Sequence, residues 1–265
     1  MFGKLLKYDF RSMFKQFAFI WPAALALALV NRFTLNSFVT SVSETRQTIS
    51  GIAMVVYIAV LIAMFVIALI FTIQRFSKGL LGGEGYLMHT LPVKPWQLIG
   101  SKLLCAVLTT FLSVVVALLS VLVLVPWTMK DFQEIFEGLG YIFRHWNTQA
   151  FHGILAVLEL CLVMMMSFAV GYLQIYLALS IGHLFNKNRI AMSVIAFILV
   201  NTVVNALGAR LLMPFFKRIS NIIDGLNGAA GFHAVMWISI SGALVLCAIY
   251  FAGTEFILRK KLNLE

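Results

Sequence analysis

Residues 52–73 read IAMVVYIAVLIAMFVIALIFTI, twenty-two positions with no charge, no proline and no glycine, bounded by Gly51 and by Gln74–Arg75. Runs of Val and Ile would suggest a buried strand in water, but the length of the run decides otherwise. About 20 helical residues, each rising ~1.5 Å, cross the ~30 Å hydrocarbon core of a bilayer. Backbone N–H and C=O groups in lipid must be paired within the segment, so the run reads as a transmembrane helix. Five further blocks repeat the pattern, at about 17–36, 103–127, 154–181, 190–207 and 233–253. The fifth is the shortest and carries Asn201 and Asn205. The expected fold is all-α: one polytopic membrane domain over 1–265, with six transmembrane helices.

The composition agrees. Apolar residues make up 62% of the chain and charged residues 11%, against about 45–50% and about 25% in soluble domains. The net charge of +10 would suit nucleic acid in a soluble protein. Here the charges sit between the apolar blocks, where they orient the chain and meet anionic headgroups, so no nucleic-acid partner is expected. Cys105, Cys161 and Cys247 each lie inside an apolar block and form no C-x-x-C pair. They read as small buried hydrophobes. No small-residue cleavage site ends the first block, so the first span is expected to stay attached.

Lys and Arg set the expected topology. Segments 1–16, 74–102, 182–189 and 254–265 hold thirteen of them and the opposite segments seven. By the positive-inside rule both termini are cytoplasmic. On a helical wheel Lys4, Lys7, Arg11 and Lys15 share a narrow face, opposite Leu5, Leu6, Phe10, Met13, Phe14 and Phe17. Residues 1–16 therefore read as an interfacial helix along the inner leaflet. Segment 128–152 spaces Phe132, Ile135, Phe136 and Leu139 helically among Asp131, Glu134 and Glu137, which predicts an amphipathic helix on the outer surface. Segment 208–232 begins apolar and basic and ends in a Gly/Asn-rich turn around Asp224–Gly231. It suits a dip into the outer leaflet before the last span. The chain shows no internal repeat.

The loop 74–102, QRFSKGLLGGEGYLMHTLPVKPWQLIGSK, is longer than neighbouring helices need, since 2–8 residues suffice. It is also apolar, with Leu80, Leu81, Tyr86, Leu87, Leu91 and Trp96 punctuated by Gly82, Gly83, Gly85, Pro92 and Pro95. Two short helices joined at Thr90–Pro95 are expected, with Pro95 in the first turn of the second. Such an elbow suits docking of another protein; the alternative is a surface helix shielding its own apolar face.

Within this loop, GGEGYLMHTLPVKPWQLIGSKLL (residues 82–104) resembles the cytoplasmic-loop signature of permease subunits of ABC-2 type ABC transporters of Gram-positive bacteria. The order of parts resembles that family too: a basic N-terminal helix, six spans, a loop after the second span and a semi-embedded outer segment before the sixth. The resemblance implies a bacterial plasma-membrane subunit with a cytoplasmic coupling segment over 76–100. Glu84, Tyr86, Leu87, Leu91 and Pro92 would contact a separate ABC ATPase subunit, which would carry the ATP and Mg. It further implies a permease homodimer or heterodimer, and an exporter of an amphipathic or hydrophobic peptide, drug or lipid. The chain has no G-x-x-x-x-G-K-[ST] motif, so no P-loop ATP site is expected on it.

Four polar residues lie inside spans: Glu159 and Gln174 in the fourth, Asn201 and Asn205 in the fifth. All four are candidates for the translocation path. An ionisable group costs about 2.5–3.5 kcal/mol at mid-membrane on insertion scales, so Glu159 reads either as a path or gating residue or as a hydrogen-bonded structural carboxyl. Gln174, Asn201 and Asn205 suit hydrogen bonds between helices. His145 and His152 flank an outer loop with no carboxylate or cysteine beside them in sequence, and neither H-E-x-x-H nor G-x-S-x-G occurs, so no metal and no catalytic residue is expected. Three rival readings stay open: a membrane enzyme using Glu159 and a histidine, a secondary transporter without an ATPase, and a structural membrane subunit with no transport role.

Overall fold

The structure is a computed structural model, and it describes residues 2–40, 44–81, 94–125, 148–185, 188–223 and 228–260, with parts of 130–140. It is built of long helices: α1 (Phe2–Thr40), α2 (Glu44–Phe76), α3 (Pro95–Leu124), α4 (Thr148–Gly182), α5 (Arg189–Ile223) and α6 (Gly228–Lys260). A short π-helical segment, Ser77–Leu81, continues α2. No strand occurs among the described residues. Among the described residues six helices are long and apolar enough to cross a membrane, and the shortest such stretch is Arg189–Arg210, in the fifth.

Lipid accounts for the surface. Phe19 is 83% exposed, Val55 67% and Ile190 82%, and water would penalise each by about 1.5–3 kcal/mol relative to burial. The chain is an all-helical, multi-pass membrane protein.

Several helices run past the ends expected from hydropathy. The first 16 residues form no separate interfacial element: α1 continues unbroken through residue 17, with Pro22 inside it. The cations of the expected polar face, Lys4, Lys7, Arg11 and Lys15, are exposed. On the opposite face Asp9, Met13 and Phe17 are buried, Leu5, Leu6 and Phe10 are half-buried and Phe14 is exposed. Asp9 helps set this packing, because a buried carboxylate needs hydrogen-bond partners and finds them in Arg75 and Ser101. Segment 208–223 likewise prolongs α5 as helix. Pro95 opens α3 as expected, with Lys94 extended ahead of it (φ −70°, ψ 145°); a proline there forfeits no helical hydrogen bond.

A buried apolar core sits at the end of the bundle next to Leu81 and Lys94. Phe76, Leu80, Leu81, Leu98, Ile99, Leu173, Tyr176 and Tyr250 form one buried cluster there. The rings of Phe76 and Tyr176 stack with centroids 4.0 Å apart and planes 6° from parallel. Farther along the bundle, hydroxyls join the helices. Trp21 Nε1 donates to Ser113 Oγ (3.1 Å), Tyr57 OH and Ser120 Oγ share a bond of 2.7 Å, and Thr110 bonds Tyr172 OH. At the α4–α5 turn Asn188 takes φ 55°, a conformation Asn tolerates better than most residues. The turn brings Ser193 onto Gly182 so closely that a Cβ there would lie 2.6 Å from the Ser193 backbone N.

Candidate functional site

Two polar clusters stand out, one at each end of the bundle. The first joins the ends of α1, α2 and α3. Asp9, 3% exposed, accepts a bond from Arg75 Nη2 at 2.7 Å on Oδ1 and one from Ser101 Oγ at 3.0 Å on Oδ2. Cys105 Sγ, one turn beyond Ser101, contacts the Leu6 carbonyl at 3.8 Å. Lys102 is 5% exposed, and its ammonium lies over Gly79, where a Cβ would come within 2.9 Å of Nζ. The glycine and the wider turn of the π segment together make room for that buried cation. In sequence, segment 82–93 joins these pieces, following Leu81 and preceding Lys94.

The residues expected to dock a partner, Glu84, Tyr86, Leu87, Leu91 and Pro92, lie outside the described residues. What is described is their mounting. Arg75 sits two residues before the π segment, Ser101 in the second turn of α3, and Asp9 clamps both. Sequence reading passed over this clamp. The signal was there: at ~100° per residue Asp9 stands about 155° from the centre of the Lys/Arg face of the N-terminal helix, within its apolar stripe.

The second cluster lies near the first turns of α4 and α6. Glu159 is 3% exposed. Its Oε2 takes the Nδ1–H of His233 at 2.6 Å, and His233 Nε2 lies 3.1 Å from His152 Nδ1. His152 precedes Glu159 by seven residues, two turns of the same helix, so α4 presents both to His233 on α6. Glu159 Oε1 is buried with no partner among the described residues. A carboxylate only accepts, so when Glu159 is ionised the bridging proton belongs to His233 Nδ1. His233 Nε2 is then left as the acceptor for His152 whenever the ring is neutral. The sequence reading found no carboxylate near His152; the fold supplies one through His233. Among the described residues no set of three or more His, Cys, Asp or Glu side chains is arranged to hold a metal ion.

The remaining path candidates are scattered. Gln174 is half-buried, and its Nε2 finds no partner among the described residues. Among the described residues Asn201 and Asn205 show no hydrogen bond to another helix. Asn205 Nδ2 donates to Asn201 Oδ1 at 3.0 Å along α5, and both are exposed.

No family model matches this sequence, and neither the curated proteins nor the solved structures contain a significant match. The functional reading rests on the residues and their arrangement.

Proposed function

We propose that this chain is the membrane-spanning permease subunit of an ATP-driven transporter of the ABC-2 type, an exporter of amphipathic or hydrophobic substrates. It has no enzymatic role of its own in this reading. ATP and Mg are bound and turned over on a separate ABC ATPase, and segment 76–100 is the coupling element. One observation carries most of the support: the Asp9 carboxylate ties the end of α2 and the start of α3 to α1. A docking loop transmits work only if its two roots move together, and a doubly hydrogen-bonded, buried carboxylate makes them one unit with α1. Glu84 accepts hydrogen bonds from the ATPase in this scheme, and Tyr86, Leu87, Leu91 and Pro92 provide its apolar anchors.

The exposed Asn201–Asn205 pair supports a permease dimer. Polar amides facing hydrocarbon are costly, and a second permease, identical or homologous, covers α5 in this reading.

The test is co-expression with an ABC ATPase encoded beside this chain. Wild type is expected to co-purify with it and to stimulate its ATP hydrolysis. The double variant Glu84→Lys, Tyr86→Ala is expected to lose both. Binding and stimulation at the wild-type level in the variant would refute the coupling assignment.

The Glu159–His233–His152 chain favours one competing reading, a membrane enzyme with these three as its acid–base groups. That reading requires turnover of a lipid or peptide by the purified chain alone, abolished by Glu159→Gln. ATP-dependent transport that survives Glu159→Gln excludes it.

A further inference from the structure

Between the ends of α1 and α2 and the start of α3 lies a cavity of about 320 Å³. We propose that it binds the phosphate of an anionic glycerophospholipid. Its charged lining is Asp9, Arg75, Lys78 and Lys102, three cations against one carboxylate and so a net charge of +2. Both oxygens of Asp9 are engaged, by Arg75 and Ser101. The carboxylate thus holds the guanidinium in place while leaving the cavity basic. Arg75 has a fork of five N–H donors, which matches phosphate oxygens, and the two lysines add point charges. Ser12, Gln16 and Gln74 border the same space with neutral donors.

The surroundings select a lipid over free phosphate. Ser12 and Gln16 belong to a helical stripe of α1 that continues to Phe19, which is 83% exposed. On α2, the stripe of Gln74 continues inward to Ile70, 42% exposed. These residues extend from the cavity into the hydrocarbon-facing part of the bundle and give acyl chains an apolar seat. The depth also fits, because the uncharged run of α2 ends at Ile73 and Arg75 and Lys78 follow at headgroup level. The inference does not depend on an ATPase partner.

The experiment uses the full chain in nanodiscs of phosphatidylcholine containing a small fraction of phosphatidylglycerol. Lipid retained on the protein after detergent extraction is counted by native mass spectrometry. Wild type is expected to retain phosphatidylglycerol selectively. Lys78→Glu, an exposed position outside the Asp9 clamp, removes two positive charges' worth of attraction and is expected to cut retention at least about fivefold, from ~1 kcal/mol per basic residue near a membrane surface. Lys94→Glu makes the same charge change at the same end of the bundle but outside the cavity, and is expected to leave retention within about twofold. Equal losses in the two variants, or no selectivity in wild type, would overturn the site. Competition by millimolar glycerol phosphate or inorganic phosphate as effective as competition by the lipid would overturn the lipid assignment and leave a soluble-phosphate site.

Discussion

Arg75 Nη2 stands 2.7 Å from Asp9 Oδ1, while the second oxygen of that carboxylate takes the Ser101 hydroxyl at 3.0 Å. The two partners are unequally buried: the Arg75 side chain is 18% exposed and that of Asp9 4%. Their removal should therefore be unequal. Arg75→Ala leaves a buried carboxylate with Ser101 alone and is expected to cost about 2–3 kcal/mol. Asp9→Ala leaves a guanidinium that can reach solvent and is expected to cost about 1 kcal/mol. Thermal unfolding in one detergent measures both; the reverse order would mean that Asp9 is not the buried centre of the clamp.

The histidine pair gives a second ranking. His233 is the direct partner of Glu159, whereas His152 touches only His233. His152→Ala is expected to cost about 0.6 kcal/mol, near the average for hydrogen bonds between helices in a bilayer. His233→Ala strands the Glu159 carboxylate and is expected to cost about 1–3 kcal/mol. Glu159→Gln in the His233→Ala background should recover part of that loss, because the neutral amide is cheaper to bury. Absence of any recovery would show that the stranded charge is not what destabilises the single variant.

Gly182 and Gly171 form a matched pair on α4. A Cβ on Gly182 meets the Ser193 backbone, while one on Gly171 meets nothing within 4 Å. Gly182→Ala is expected to destabilise by about 1–3 kcal/mol through overpacking at the α4–α5 turn. Gly171→Ala should be neutral or stabilising by up to about 1 kcal/mol, the helix-propensity difference. Equal melting temperatures for the two variants would disprove the close approach of the turn.

The side on which the clamp lies is open to direct measurement. With Cys105, Cys161 and Cys247 replaced, single cysteines at the exposed positions Lys94, just before α3, and Glu137, in the segment that follows α3, report on the two sides that α3 connects. A membrane-impermeant maleimide applied to intact cells is expected to label position 137 and to spare position 94 until the membrane is opened. Labelling of position 94 from outside would remove the basis for an ATPase docking at segment 82–93.

The helices were legible in the sequence because lipid leaves little choice. A run like 52–73 can satisfy its backbone only as a helix, and each expected span lies within a helix of the structure, except 103–127: α3 ends at Leu124, Val125 is extended, and the last two residues lie outside the described set. Helix ends were less legible, because hydropathy stops where the apolar run stops. Hydrogen bonding carries α1 back to Phe2 and α5 on to Ile223. Pro95 marked the start of α3 because in a first turn its missing N–H forfeits no helical hydrogen bond.

The amino-acid order alone determined that this protein is a helical membrane protein, since length and apolarity of each block are local properties and the bilayer acts on each block separately. The tertiary structure decided which polar groups meet. Asp9 and Arg75 are 66 positions apart and Glu159 and His233 are 74 apart. No local pattern links such pairs. A buried charge selects its partner through the packing of whole helices, because only there is its loss of water repaid by a hydrogen bond.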